Sequence, residues 1–181
     1  MASKKTKQLS KKSVRMYQKS GQSVEEFFYQ YPLTEASIRE IALNTGLAKS
    51  SVQYQLKILK ERGIVSSDGR WVDSWKNCLK KSLFFINRLI DSGVIDYLEQ
   101  ELVASTIILF GSFAKGESAK ESDIDIFVEC AKDKEILLTK YEKMLGHKIQ
   151  LFKRHKITQL PKHLLNNVVN GIKLRGYFTI K

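Results

Sequence analysis

GSFAKGESAKESDIDIFVE, Gly111 to Glu129, decides how the second half of this chain folds. The preceding run, Val103 to Phe110, is β-branched and apolar and predicts a buried strand ending at Gly111-Ser112. Glycine at that point permits a close backbone turn, and the serine hydroxyl with adjacent N–H groups can meet phosphate oxygens. Gly116 opens another tight bend. A second strand starts at Ser122-Asp123-Ile124-Asp125-Ile126, and alternation puts Asp123 and Asp125 on one face with Ile124 and Ile126 on the other. Two carboxylates that close repel each other unless something cationic lies between them. Hard oxygen ligands of this kind suit Mg²⁺ held jointly with the phosphates of a nucleotide.

The composite is more specific than any of its parts. Gly-Ser, three residues, Gly, five residues, then Ser-Asp-x-Asp resembles the signature of the minimal nucleotidyltransferases of the DNA polymerase beta superfamily. A lone Asp-x-Asp would carry little weight. The resemblance implies transfer of a nucleoside monophosphate from an NTP, ATP being the expected one, to an acceptor, with release of pyrophosphate. It implies that Gly111, Ser112, Gly116 and Ser122 bind the nucleotide and that Asp123 and Asp125 are the catalytic ligands of Mg²⁺. The acceptor implied is a hydroxyl or phosphate group, and since small members of the family often modify a partner protein in an antitoxin-like role, the resemblance admits a protein acceptor.

The similarity runs from about Leu102 to Lys181. The sequence predicts a helix over Asp133–Leu145 with Ile136, Leu137, Tyr141 and Leu145 inward, a third strand over His147–Lys153, and a last helix. One position departs from the pattern. The family places a third acidic residue mid-way along the third strand, and here Ile149-Gln150-Leu151-Phe152 puts Gln150 there. An amide contributes no charge and cannot take a proton. His147 and His155 lie nearby as groups that could compensate, although isolated histidines at a basic strand end are expected to be exposed. Lys148, Lys153, Arg154 and Lys156 cluster around the same strand and suit a triphosphate, an acidic acceptor or DNA.

The first half reads differently. Val24, Phe27, Phe28 and Tyr31 share a face of a short helix closed by Pro32. The segment from Leu33 to Val65 then predicts two helices around Thr45-Gly46, with Ile38, Ile41 and Ala42 inward in the first and Val52, Leu56 and Leu59 inward in the second. A serine near Ser50-Ser51 is the expected N-cap of the second helix. Its outer face carries Ser51, Gln53, Tyr54, Lys57 and Lys60, groups able to reach base edges and phosphates. Two β-branched runs around Asp68-Gly69 predict a hairpin with Arg70 near its tip. Two helices plus a hairpin resemble a winged helix-turn-helix, which implies double-stranded DNA as a partner. A homodimer would let such a unit read two half-sites.

Net charge is +12, with 15 Lys/Arg against 7 Asp/Glu through Lys80. Residues 1–20 hold seven cations and no acid, the composition of a basic disordered tail suited to polyanions. No apolar run is long enough to span a bilayer, no secretory pattern opens the chain, and Cys78 and Cys130 lack metal spacing, so a cytoplasmic protein without membrane contact is expected. The expected fold class is α+β in two domains: the basic tail 1–20, a winged helix-turn-helix over 21–73, connecting helices over 74–101, and a nucleotidyltransferase fold over 102–181, a small mixed sheet flanked by helices. Trp75, Leu79, Leu83, Ile86 and Ile90 recur at helical spacing in the third segment, as core, as a domain connector or as a pairing face for two subunits. Two functions follow: a DNA-targeted Mg²⁺-dependent nucleotidyltransferase, favoured by Gly111, Ser112, Asp123 and Asp125, or a DNA-binding regulator whose transferase domain has lost its chemistry, favoured by Gln150.

Overall fold

The computed structural model describes residues 23–32, 35–132 and 134–179, so the basic tail 1–20 lies outside the described residues. The chain divides into two compact units, Met1–Val72 and Asp73–Lys181.

In the first unit, α1 (Val24–Gln30) begins at a capping box in which Ser23 Oγ accepts the Glu26 N–H and the Glu26 carboxylate accepts the Ser23 N–H. Helix α2 (Ile38–Thr45) starts with the same device, Ser37 and Glu40, and stops where Gly46 turns left-handed at φ +70°. Helix α3 (Lys49–Glu61) is capped by Ala48 without a side-chain hydrogen bond, so neither Ser50 nor Ser51 is its cap. Both serines lie within the first turn, two and three residues after the cap position. Val24, Phe27, Phe28, Ile41, Val52 and Leu59 form the core together with Ile64 and Val65. The hairpin is short: Val65 bridges Trp71, and the Ser66 N–H donates to the Arg70 carbonyl at 2.8 Å.

The second unit opens with α4 (Trp75–Ser92) and α5 (Val94–Leu102), then β1 (Ala104–Phe110), α6 (Gly111–Lys115), β2 (Ile124–Cys130), α7 (Thr139–Leu145), β3 (Ile149–Arg154), a 3₁₀ turn (Ile157–Gln159), α8 (Lys162–Val169) and β4 (Ile172–Gly176). The four strands form one mixed sheet in the order β3-β2-β1-β4, with β2 parallel to β3 and β1 antiparallel to both of its neighbours. Strands β1 and β2 are central and almost wholly buried, which is why their sequences read as near-continuous apolar runs. On one face Ile108, Phe110 and Phe127 pack with Ile157, Leu160 and Val168.

Helices α4 and α5 belong to this second unit. Asn77, Lys81, Ser82, Phe85 and Leu89 form the buried face of α4, whereas Trp75, Leu79, Leu83 and Ile90 are exposed, so the apolar stripe legible in the sequence is not core. Helix α7 is shorter than expected, starting at Thr139, and it is Leu138 that is buried while Leu137 is 76% exposed. Strand β4 was not anticipated; its sequence, IKLRG, is too short and too cationic to signal a strand without its β1 partner. No described helix is long and apolar enough to cross a membrane.

Candidate active site

Strands β1, β2 and β3 converge on one carboxylate. Asp125 lies opposite Phe110 in the β1–β2 ladder and beside Gln150 in the parallel β2–β3 ladder. Its side chain rests on Gly111, where φ is +68° and a Cβ would stand 2.1 Å from Asp125 Oδ2. Glycine is thus required at 111 twice over, by backbone conformation and by the carboxylate it carries. Asp123 lies exposed on the approach to β2, two residues earlier. Burial, and then the charge of Asp123, raise the Asp125 carboxyl above its ordinary range.

The remaining motif residues serve the loop between these strands. Ser112, on α6, accepts the Glu117 N–H at its carbonyl at 2.9 Å. Gly116 ends α6 at φ +75°, and a Cβ there would meet the Cys78 carbonyl oxygen at 1.9 Å, so its glycine is demanded by the backbone of α4. Ser122 Oγ accepts the Ala119 N–H at 2.9 Å, and the Ser122 carbonyl lies 3.0 Å from His147 Nδ1.

Several residues outside the motif support this region. His147 is half-buried, stacked edgewise on Phe85 and Phe113, and burial lowers its pKa; it is not the exposed histidine that was expected. Lys81, buried on α4, donates to the Ser118 carbonyl, and burial pulls its pKa down to about 8. Ser82 Oγ donates to the Ala114 carbonyl at 3.0 Å, and Arg88 to the Met144 carbonyl at 3.0 Å. In the sequence Lys81, Ser82 and Arg88 show only as polar residues of α4 outside its Trp75-Leu79-Leu83-Ile86-Ile90 row. His155 is exposed, in a cleft with Lys132, Lys153 and Arg154 at the other end of β3.

The donor set fits one hard divalent cation. Two carboxylates, one of them half-buried and held toward protonation, gain from a positive charge between them, and phosphate oxygens and water complete such a shell. Among the described residues no group of three or more His, Cys, Asp or Glu is set to hold a metal. The register puts Gln150, not a third carboxylate, beside Asp125.

Residues 93–174 match the family described as "Polymerase beta, Nucleotidyltransferase". A protein of Methanocaldococcus jannaschii named "Putative protein adenylyltransferase MJ1379" is 37% identical over 67 residues, covering 33% of this chain and 67% of the relative. The chain belongs to the polymerase beta nucleotidyltransferase family. In this nucleotidyltransferase, residues 34–67 also match the family described as "Bacterial regulatory protein, arsR family", so a helix-turn-helix regulatory unit precedes the transferase domain. No solved structure gives a significant match.

On that helix-turn-helix, Ser51, Gln53, Tyr54, Lys57 and Lys60 are all exposed along α3. Lys60 Nζ donates to the Ser67 carbonyl at 2.6 Å, and Lys57 stands 4.0 Å from Glu61. Arg70 is exposed on the hairpin but engaged by Glu35 and, at 3.5 Å, by Asp68.

Proposed function

We propose that this chain is a Mg²⁺-dependent nucleotidyltransferase that moves AMP from ATP onto a hydroxyl of a protein acceptor, and that its helix-turn-helix binds double-stranded DNA. The observation that carries the reading is the seating of Asp125 on Gly111 at the end of β1, with Asp123 two residues away. Nothing in the packing of a sheet calls for two repelling acids at a glycine turn; a cation shared with a triphosphate does. The protein acceptor and ATP follow from the name of the archaeal relative.

In this reading Gly111 and Ser112 hold the triphosphate, and Asp123 and Asp125 would hold Mg²⁺. The ion's contribution is neutralisation of phosphate charge. The acceptor oxygen attacks the α-phosphorus, the bond to the β-phosphate breaks, and pyrophosphate departs with the electron pair. The acceptor proton goes to water, because Gln150 cannot take it. Lys81 and His147 bind the carbonyls of Ser118 and Ser122 and so keep the loop before Asp123 in place.

A second reading rests on Gln150: the domain binds Mg²⁺ and ATP without transfer and informs the DNA-binding unit. Both readings require nucleotide binding. Thermal unfolding of the full chain with ATP, with and without Mg²⁺, tests it. Stabilisation of about 2.7 kcal/mol at 100 times the Kd is expected with Mg²⁺. Asp123→Ala should lose it, and a wild type that Mg²⁺-ATP leaves unshifted contradicts both readings.

A further inference from the structure

Helix α4 shows solvent a row of large apolar side chains: Trp75 is 73% exposed, Leu79 50%, Leu83 51% and Ile90 57%, with Ile86 half-exposed among them. At 100° per residue these five positions fall within an arc of about 80°, and they run about 22 Å along the helix. The buried face of α4, formed by Lys81, Phe85 and Leu89, points elsewhere, so the stripe contributes nothing to the core of its own unit. Single exposed leucines are ordinary; a continuous row over four turns marks a surface that is covered in use.

We infer that the α4 stripe is the contact between two copies of this chain, paired as antiparallel helices about a twofold axis near Leu83. Self-pairing is favoured by the layout of the stripe. Reversal about that axis sets Trp75 against Ile90 of the second copy, Leu79 against Ile86, and Leu83 against itself, which is the self-complementarity that an isologous interface requires. Charge along the flank agrees. Lys76, Lys80, Asn87 and Asp91 border one side of the stripe, with the cations at the start of the helix and the acid at its end. In an antiparallel pair like flanks meet, which sets Lys76 against Asp91 of the second copy and Lys80 against its Asn87. In a parallel pair opposite flanks meet, so Lys76 and Lys80 lie on the other side of the seam from the second copy's Asp91, the one acid of the helix. The dimer carries two helix-turn-helix units, the number that a duplex with two half-sites engages.

Sedimentation equilibrium of the full chain, from about 1 to about 100 µM, tests this. A dimer mass is expected. Leu83→Lys, at the twofold axis on an exposed position, should raise the dissociation constant at least roughly 100-fold without shifting thermal unfolding of the monomer. Asp91→Lys should weaken the dimer, and adding Lys76→Glu to it should restore the dimer, a rescue that damage to the fold cannot imitate. A wild type that stays monomeric overturns the inference, whatever else covers the stripe. A dimer indifferent to Leu83→Lys, or a charge swap without rescue, overturns it equally.

Discussion

Asp125 and Gln150 stand side by side in the parallel ladder of β2 and β3. The pairing continues without a shift from Ile124–Ile149 to Glu129–Arg154, so the amide occupies the neighbouring position by register and not through an irregularity of the strand. One half-buried carboxylate therefore lies between a phenylalanine and a neutral amide.

That arrangement makes Asp125 costly to the fold in the absence of a ligand. Asp125→Asn keeps the shape over Gly111 and removes a charge that burial and Asp123 both disfavour. The melting temperature of the ligand-free protein should rise by about 1–3 °C, a modest shift because the group is partly solvated. The same variant should no longer be stabilised by Mg²⁺-ATP. Calorimetry with and without nucleotide separates the two effects.

The two glycines of the motif should fail differently. At Gly116 an added Cβ meets backbone of α4, so Gly116→Ala should cost about 2–4 kcal/mol in urea unfolding. At Gly111 it meets the movable end of Asp125, so Gly111→Ala should cost about 1–2 kcal/mol, mainly from its left-handed backbone, but abolish nucleotide binding.

Lys81 gives a pH signature. Its folded pKa, about 8, lies below that of an exposed lysine, so between about pH 8 and pH 10 the unfolded chain binds more protons than the folded one. Stability contributed through Lys81 therefore rises with pH across that window, and below pH 8 the full cost of its buried charge is present. Cys78, pushed up to about 11 by burial and Asp73, acts in the opposite direction near the top of the window. Comparison of wild type with Lys81→Met isolates the lysine: the wild type should gain on the variant as pH increases from 8 to 10.

On α3, Lys57 should matter more for DNA than Arg70. Arg70 is engaged by Glu35 and Asp68, whereas Lys57 stands 4.0 Å from Glu61. Lys57→Glu should reduce the slope of log affinity against log salt by about 1, and Arg70→Glu by less. Fluorescence anisotropy on a short duplex over a salt series reads both.

What the sequence showed and what it hid follow from the range of the interactions. The strand-turn-strand around Gly111 was legible because alternation and turn chemistry act over a few residues, and the two carboxylates come from that one stretch. The neighbour of Asp125 in β3 was legible through a motif. The supports were not: Lys81 lies 37 positions before Ser118, and His147 lies 25 after Ser122. The α4 stripe stayed open because period alone reports an apolar face and not what covers it; the buried face of the same helix carries Lys81 and Ser82, which no apolar period marks. Helix α7 starts late since Ile136 and Leu137 satisfy the same period without being in the helix.

The most direct measurement is transfer of label from α-labelled ATP with Mg²⁺ into the proteins of a host extract, using wild type, Asp123→Ala and Gln150→Asp in parallel. Labelled protein with wild type, none with Asp123→Ala and at least roughly tenfold more with Gln150→Asp are expected, the last because a carboxylate beside Asp125 supplies the missing anionic ligand. No label with wild type, and label only once Gln150 is replaced, would contradict transfer by the natural chain.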